Sequence, residues 1–172
     1  FLSFWNTILV SFNSRYRKRR FDNYHMKFLQ KSLNAKLTKS DLLIVFGCHD
    51  KKIKLPQGVK VPASALESFN AEFGQKRLTD SIRGPFQQVL IIGLGESKKI
   101  DTENIRRAAA IAVKEARKNK LGSITYWAAK SYSFDAGLFG QALAEGAVMG
   151  SYRLDDFKKG TGDLKKVIFH TG

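Results

Sequence analysis

Four short apolar runs recur along this chain, with helix-like segments in the gaps between them. Leu42–Phe46 reads LLIVF, Val89–Ile92 reads VLII, Ser123–Trp127 reads SITYW and Lys166–His170 reads KVIFH. Runs of this length, rich in branched side chains and bounded by turn formers, are expected as strands buried on both faces. Between the second and third, Asp101 or Thr102 caps a long helix that buries Ile105, Ala108, Ala109, Ala112, Val113 and Ala116 along one stripe. Gly122 ends it. A further helix is expected from Ala136 to Gly150, with Leu138, Phe139, Ala142, Leu143 and Ala147 as its core side. Upstream, Pro56 and Gly58 mark a turn. Ser64 and Glu67 then form a capping box, opening a helix with Leu66, Phe69 and Phe73 on one face that stops at Gly74. Strands alternating with helices need cover on both faces of one sheet. The expectation is an α/β fold: a three-layer α/β/α sandwich with a parallel or mixed sheet, over residues 41–172.

Residues 1–40 read as a separate extension. It opens with Phe1, Leu2, Phe4, Trp5, Ile8, Leu9 and Phe12, followed by Arg15, Tyr16, Arg17, Lys18, Arg19 and Arg20. Met26, Leu29 and Leu33 then suggest a helix over Tyr24–Leu37. The extension carries nine Lys or Arg against one acid, Asp22, while the whole chain carries 30 against 15, a net charge of +15. Such an excess points to a polyanionic partner, nucleic acid ahead of an anionic membrane. Arg15 to Arg20 are the expected RNA contacts: five cations to neutralise phosphates, with Tyr16 placed to stack on a base. Arg106 and Arg107, with Lys114, Arg117 and Lys118, extend that footprint along the long helix, where a solvated helix face is the ordinary alternative.

Chemistry is harder to find. Cys48-His49-Asp50 has the residue types of a nucleophile, base and orienter, but neighbours on an extended segment point to opposite faces and cannot meet. His25, His49 and His170 have no ligand spacing with Cys48 or any carboxylate pair, so neither a metal nor a cofactor is expected. The turn Gly93-Leu94-Gly95-Glu96-Ser97 has Lys98 where a dinucleotide fingerprint needs its third glycine, and Glu96 would repel a phosphate. It reads as a tight structural turn. A single cysteine, Cys48, excludes an internal disulfide, and no apolar run approaches the roughly 20 residues of a membrane span. The Arg-rich, acid-poor start is closer to a mitochondrial targeting segment than to a secretory signal.

Three stretches carry a family resemblance: VLIIGLGES (Val89–Ser97), TENIRRAAAIAVKEARK (Thr102–Lys118) and EGAVMGSYRLDDFK (Glu145–Lys158). Together they resemble the amino-terminal domain of the zinc-dependent leucyl (cytosol) aminopeptidases. The resemblance, over about residues 41–172, implies a macro-domain-like three-layer unit. It also implies that the family's chemistry belongs to a larger carboxy-terminal domain, whose two zinc ions are held by a lysine, aspartates and a glutamate around an NTDAEGRL motif. No such motif occurs in this sequence. No catalytic residue carries over, and Asp155-Asp156 belong to the resembled signature as fold or interdomain residues.

The expectation from charge and resemblance together is a non-catalytic subunit of a large RNA-containing assembly, with a mitochondrial ribosome the most specific form of it. The alternatives are the front part of a zinc-dependent leucyl aminopeptidase, working as a cytoplasmic hexamer, or a scaffold subunit of an organellar complex that touches no RNA. DNA is a lesser option as the polyanion. The first reading does not require a homo-oligomer.

Overall fold

The computed structural model describes residues 26–128, 135–152 and 164–171. Six strands form one sheet in the order β1-β6-β5-β2-β4-β3. They are β1 (Lys27–Ser32), β2 (Ser40–Gly47), β3 (Lys76–Asp80), β4 (Phe86–Gly93), β5 (Ser123–Trp127) and β6 (Lys166–Thr171). All neighbours run parallel except β3, which pairs antiparallel with β4 at one edge. The helices are α1 (Ser64–Glu67), α2 (Thr102–Lys118) and α3 (Ala136–Ser151), with a 3-10 turn at Ser97–Lys99.

Strand alternation sends the two sides of each strand into two separate cores. Leu42, Ile44 and Phe46 of β2 join Leu90, Ile92, Ile124, Tyr126, Val167 and Phe169 beneath α2 and α3. Leu43, Val45, Val89 and Ile91 face the other way, against Val59, Phe69 and Ala71 from the segment between β2 and β3. Period-2 geometry therefore accounts for strands that are apolar on both sides. The expected α/β sandwich is present.

An aromatic row ties the first core together, one ring per strand. Phe28 (β1) stacks on Phe169 (β6), Phe169 on Tyr126 (β5), and Tyr126 on Phe46 (β2), with centroids 6.0, 5.5 and 6.2 Å apart. Phe139 of α3 closes the row edge-on against Phe46 at 6.1 Å. The Tyr126 hydroxyl, fully buried, donates to the Ala109 carbonyl of α2 at 2.8 Å, and burial pushes its ionisation far upward.

Three sequence expectations need correction. Residues 24–37 do not form a helix where they are described: β1 extends along β6 from Lys27↔Lys166 to Ser32↔Thr171. The apolar spacing of Met26, Leu29 and Leu33 was compatible with a helix, but the exposed edge of β6 offers a six-residue backbone ladder and a ring for Phe28. The sheet therefore begins before Asp41. Secondly, α1 is a single turn with Ala63 as its cap, and the Ser64 hydroxyl makes no capping bond. The chain leaves the helix at Ser68 rather than Gly74, and Arg77 donates to the Ser64 carbonyl and the Ser68 hydroxyl. Thirdly, Leu138 is 53% exposed, not core, while its neighbour Phe139 in the same turn of α3 is buried. β3 was missed altogether: KRLTD is too polar to read as a strand, being half-solvated at the sheet edge.

Candidate polyanion-binding surface

Helix α2 begins with a reciprocal cap, Asp101 accepting from the Asn104 amide while Asn104 accepts from the Asp101 amide. This fixes the helix start and hence which residues face the sheet. Its alanine-rich stripe, Ala108, Ala109, Ala112 and Ala116, is wholly buried. Short side chains there let α3 lie close.

Packing divides the five cations of α2 into two groups. Arg106 and Arg117 turn inward, toward α3. Arg106 Nε donates to Glu145 Oε2 at 2.8 Å, its Nη2 reaches the same oxygen at 2.7 Å, and Glu103 holds its third edge. Its ionisation is raised first by Glu145 and then by Glu103. Glu145 is lowered in turn, first by Gln141 and then by Arg106. Arg117 is buried and donates to the Ser151 carbonyl at 3.1 Å. Arg107, Lys114 and Lys118 point outward and are exposed. The Arg107 guanidinium lies over the Phe73 ring, 4.8 Å from its centroid, which positions one face of the group and leaves its rim toward solvent.

Of the residues expected to touch RNA, then, Arg106 is engaged by Glu145 and Glu103, and Arg107 faces solvent. Arg15, Tyr16, Arg17, Lys18, Arg19 and Arg20 lie outside the described residues, as does Asp155-Asp156.

The glutamate of EGAVMGSYRLDDFK has a clear task, and so do its glycines. A Cβ at Gly146 would stand 2.1 Å from the Arg106 carbonyl oxygen, and one at Gly150 would stand 2.8 Å from both Cα and O of Ala110. The described part of the motif, residues 145–152, is therefore a helix-crossing device. Two glycines four residues apart admit the α2 backbone, Glu145 clamps Arg106, and the last carbonyl of α3 receives Arg117.

Cys48, His49 and Asp50 do not assemble a catalytic group. Cys48 is buried and its thiol is pushed up to about 11, first by desolvation and then by Asp50. Asp50 is committed elsewhere: its carboxylate accepts from the Ser97 amide at 2.8 Å and the Ser97 hydroxyl at 2.5 Å. Those bonds, the side-chain one first, hold Asp50 below the usual carboxylate range. Asp50 thus ties the turn after β2 to the glycine turn after β4. Gly93 sits where a Cβ would be 2.1 Å from the Glu72 carbonyl oxygen, and Gly95 has φ +79°. These glycines serve close backbone approach and a left-handed turn. Sequence reading saw the turn but missed Asp50 as its partner, since no local signal links residues 47 positions apart.

Among the described residues no group of three or more His, Cys, Asp or Glu side chains could hold a metal ion. The residues described do not fit the two-zinc cage that the resemblance associates with the family's chemistry.

Comparison with known proteins agrees with this picture of a helix-crossing α/β unit. A probable cytosol aminopeptidase of Aquifex aeolicus is 29% identical over 111 residues, covering 62% of this chain and 22% of that protein. One from Clostridium perfringens is 26% identical over 145 residues, covering 80% of this chain and 29% of that protein. The chain thus spans under a third of the length of these relatives. Among solved structures, a tomato leucine aminopeptidase mutant matches with TM-score 0.65 at 17% identity, covering 90% of this chain and 34% of that one. At that identity the match speaks for the fold. The bottromycin maturation enzyme BotP, in complex with Mn, matches with TM-score 0.60 at 25% identity, covering 77% and 27%. Residues 50–161 match the family described as the cytosol aminopeptidase family, N-terminal domain, and the chain belongs to that family.

Proposed function

We propose that this chain supplies the non-catalytic amino-terminal module of a cytosol-aminopeptidase-type protein, a domain that packs beside hydrolytic machinery without contributing to it. The family match over residues 50–161, against relatives of which the chain covers under a third, is the observation that carries this reading. It was the alternative on sequence grounds, and the comparisons favour it over a ribosomal role. In this reading the described residues contribute helix packing and turn geometry, and peptide-bond hydrolysis belongs to a domain of the kind that fills the rest of the relatives' length. The test is to isolate the native protein and map its peptides while assaying hydrolysis of leucine amide with added zinc or manganese. Peptides beyond Gly172 together with activity support the module. A species consisting of these residues alone, inert toward the amide, refutes it.

A second reading is favoured by one specific observation, the net charge of +15. In it the module also binds a polyanion, RNA in an organellar ribonucleoprotein being the form the basic amino-terminal segment suggests. Sedimentation of native lysate with and without RNase tests it: collapse of a large particle on RNase treatment supports RNA, and indifference refutes it.

A further inference from the structure

From the partition of the α2 cations, we infer that the outward face of this helix is a docking surface for a nucleic-acid phosphate backbone, with Arg107, Lys114 and Lys118 as its contacts. The inference rests on the second reading above and names its surface. The three residues are seven and four positions apart, which puts them on one side of the helix. At a rise of about 1.5 Å per residue the row is roughly 16 Å long, near the length of five phosphate-to-phosphate steps at about 3.4 Å of axial rise each. Among the described residues neither Lys114 nor Lys118 forms an ion pair, whereas Arg106, Lys76 and Lys99 each do. The nearby acids are already engaged: Glu103 with Arg106, and Glu115 with Lys76 at 2.5 Å. Glu115 also feels Lys118, and its carboxyl is held low by Lys76 above all. Arg107, Lys114 and Lys118 therefore have no ion-pair partner of their own among the described residues. Phe73 beneath Arg107 restricts the guanidinium without masking its donors, so less freedom is lost when a phosphate binds.

A membrane fits this surface less well. A helix lying on lipid needs an apolar face to bury, and that of α2 is taken up by the sheet and α3. The large apolar side chains exposed among the described residues, Ile82, Leu138, Val148, Met149 and Tyr152, all lie off α2.

The test measures binding of the full chain to a 30-nucleotide poly(U) RNA across a salt series, beside the triple variant Arg107→Gln/Lys114→Gln/Lys118→Gln. Circular dichroism melting confirms that both are folded. The expected result is at least a ten-fold loss of affinity, with the slope of log K against log salt shallower by about 2, as three lost single-strand contacts require. Equal binding and slope in a folded triple variant would overturn the proposal, while leaving the polyanion reading to residues outside α2. Absence of RNA binding by the wild-type chain would overturn both. Binding to phosphatidylserine vesicles in preference to RNA would overturn the proposal in favour of a membrane surface.

Discussion

Arg106 on α2 and Glu145 on α3 meet with Nε 2.8 Å from Oε2, and the glycine that follows Glu145 brings its backbone against the Arg106 carbonyl. One residue of α2 is thus gripped twice by the same two-residue step of α3, once by charge and once by shape.

Arg106 and Glu145 should be thermodynamically coupled. Arg106→Gln, Glu145→Gln and the double variant are expected to be non-additive: once either partner is gone, removing the other costs little more. Chemical denaturation of the four proteins checks this, and strict additivity would show the pair to be incidental.

Steric closeness predicts a sharper contrast among the glycines of α3. Gly146→Ala places a methyl against backbone and should destabilise by about 1–3 kcal/mol or more. Gly140→Ala meets nothing nearer than the Gln30 side chain at 3.9 Å. It should be neutral or stabilising by up to about 1 kcal/mol, because alanine loses less backbone entropy in a helix. Melting temperatures of the two variants should move in opposite directions or differ plainly in size.

His170 predicts a pH dependence. Its ring is buried, Nδ1 lies 3.3 Å from the Ser32 carbonyl of β1, and Nε2 has no hydrogen-bond partner. Desolvation, above all, lowers its ionisation below the ordinary histidine value, and Lys31 adds to this. A lowered folded-state pKa means that the unfolded chain takes up the proton first. The contribution is therefore complete above about pH 6.5 and lost as pH falls through the folded value, by no more than about 1.4 kcal/mol per pH unit for one proton. Thermal unfolding between pH 7.5 and 5.5 should show this decline, and His170→Gln should flatten it.

The thiol of Cys48 should be inert in the native protein. With burial raising it to about 11, little thiolate exists at pH 8, and access is blocked as well. Labelling with a disulfide reagent should proceed only after unfolding. Fast reaction of the folded protein would mean that the end of β2 opens readily.

The parts of the fold legible in the sequence were those set by local pattern. Ser123–Trp127 was read with its observed bounds, and the α2 stripe was read residue by residue, because period 2 and period 3.6 are written in neighbouring positions. What escaped depended on distant partners. Lys27–Ser32 is a strand because β6 lies beside it, and Lys76–Asp80 because β4 does. Its own residues, mixed and charged, said little. The same holds for the surface on α2: all five cations were visible, but which ones face α3 depends on Glu145 and Ser151, dozens of residues away.

The place of β1 at the sheet's outer edge sets where the folded domain can be cut. Met26 and Phe28 pack on the main core, and the β1 ladder covers the length of β6. A protease cutting before Met26 would leave this ladder and both side chains in place. A cut near residue 40 would instead uncover β6 along its whole length, leaving a row of unpaired amides and carbonyls open to another chain's strand.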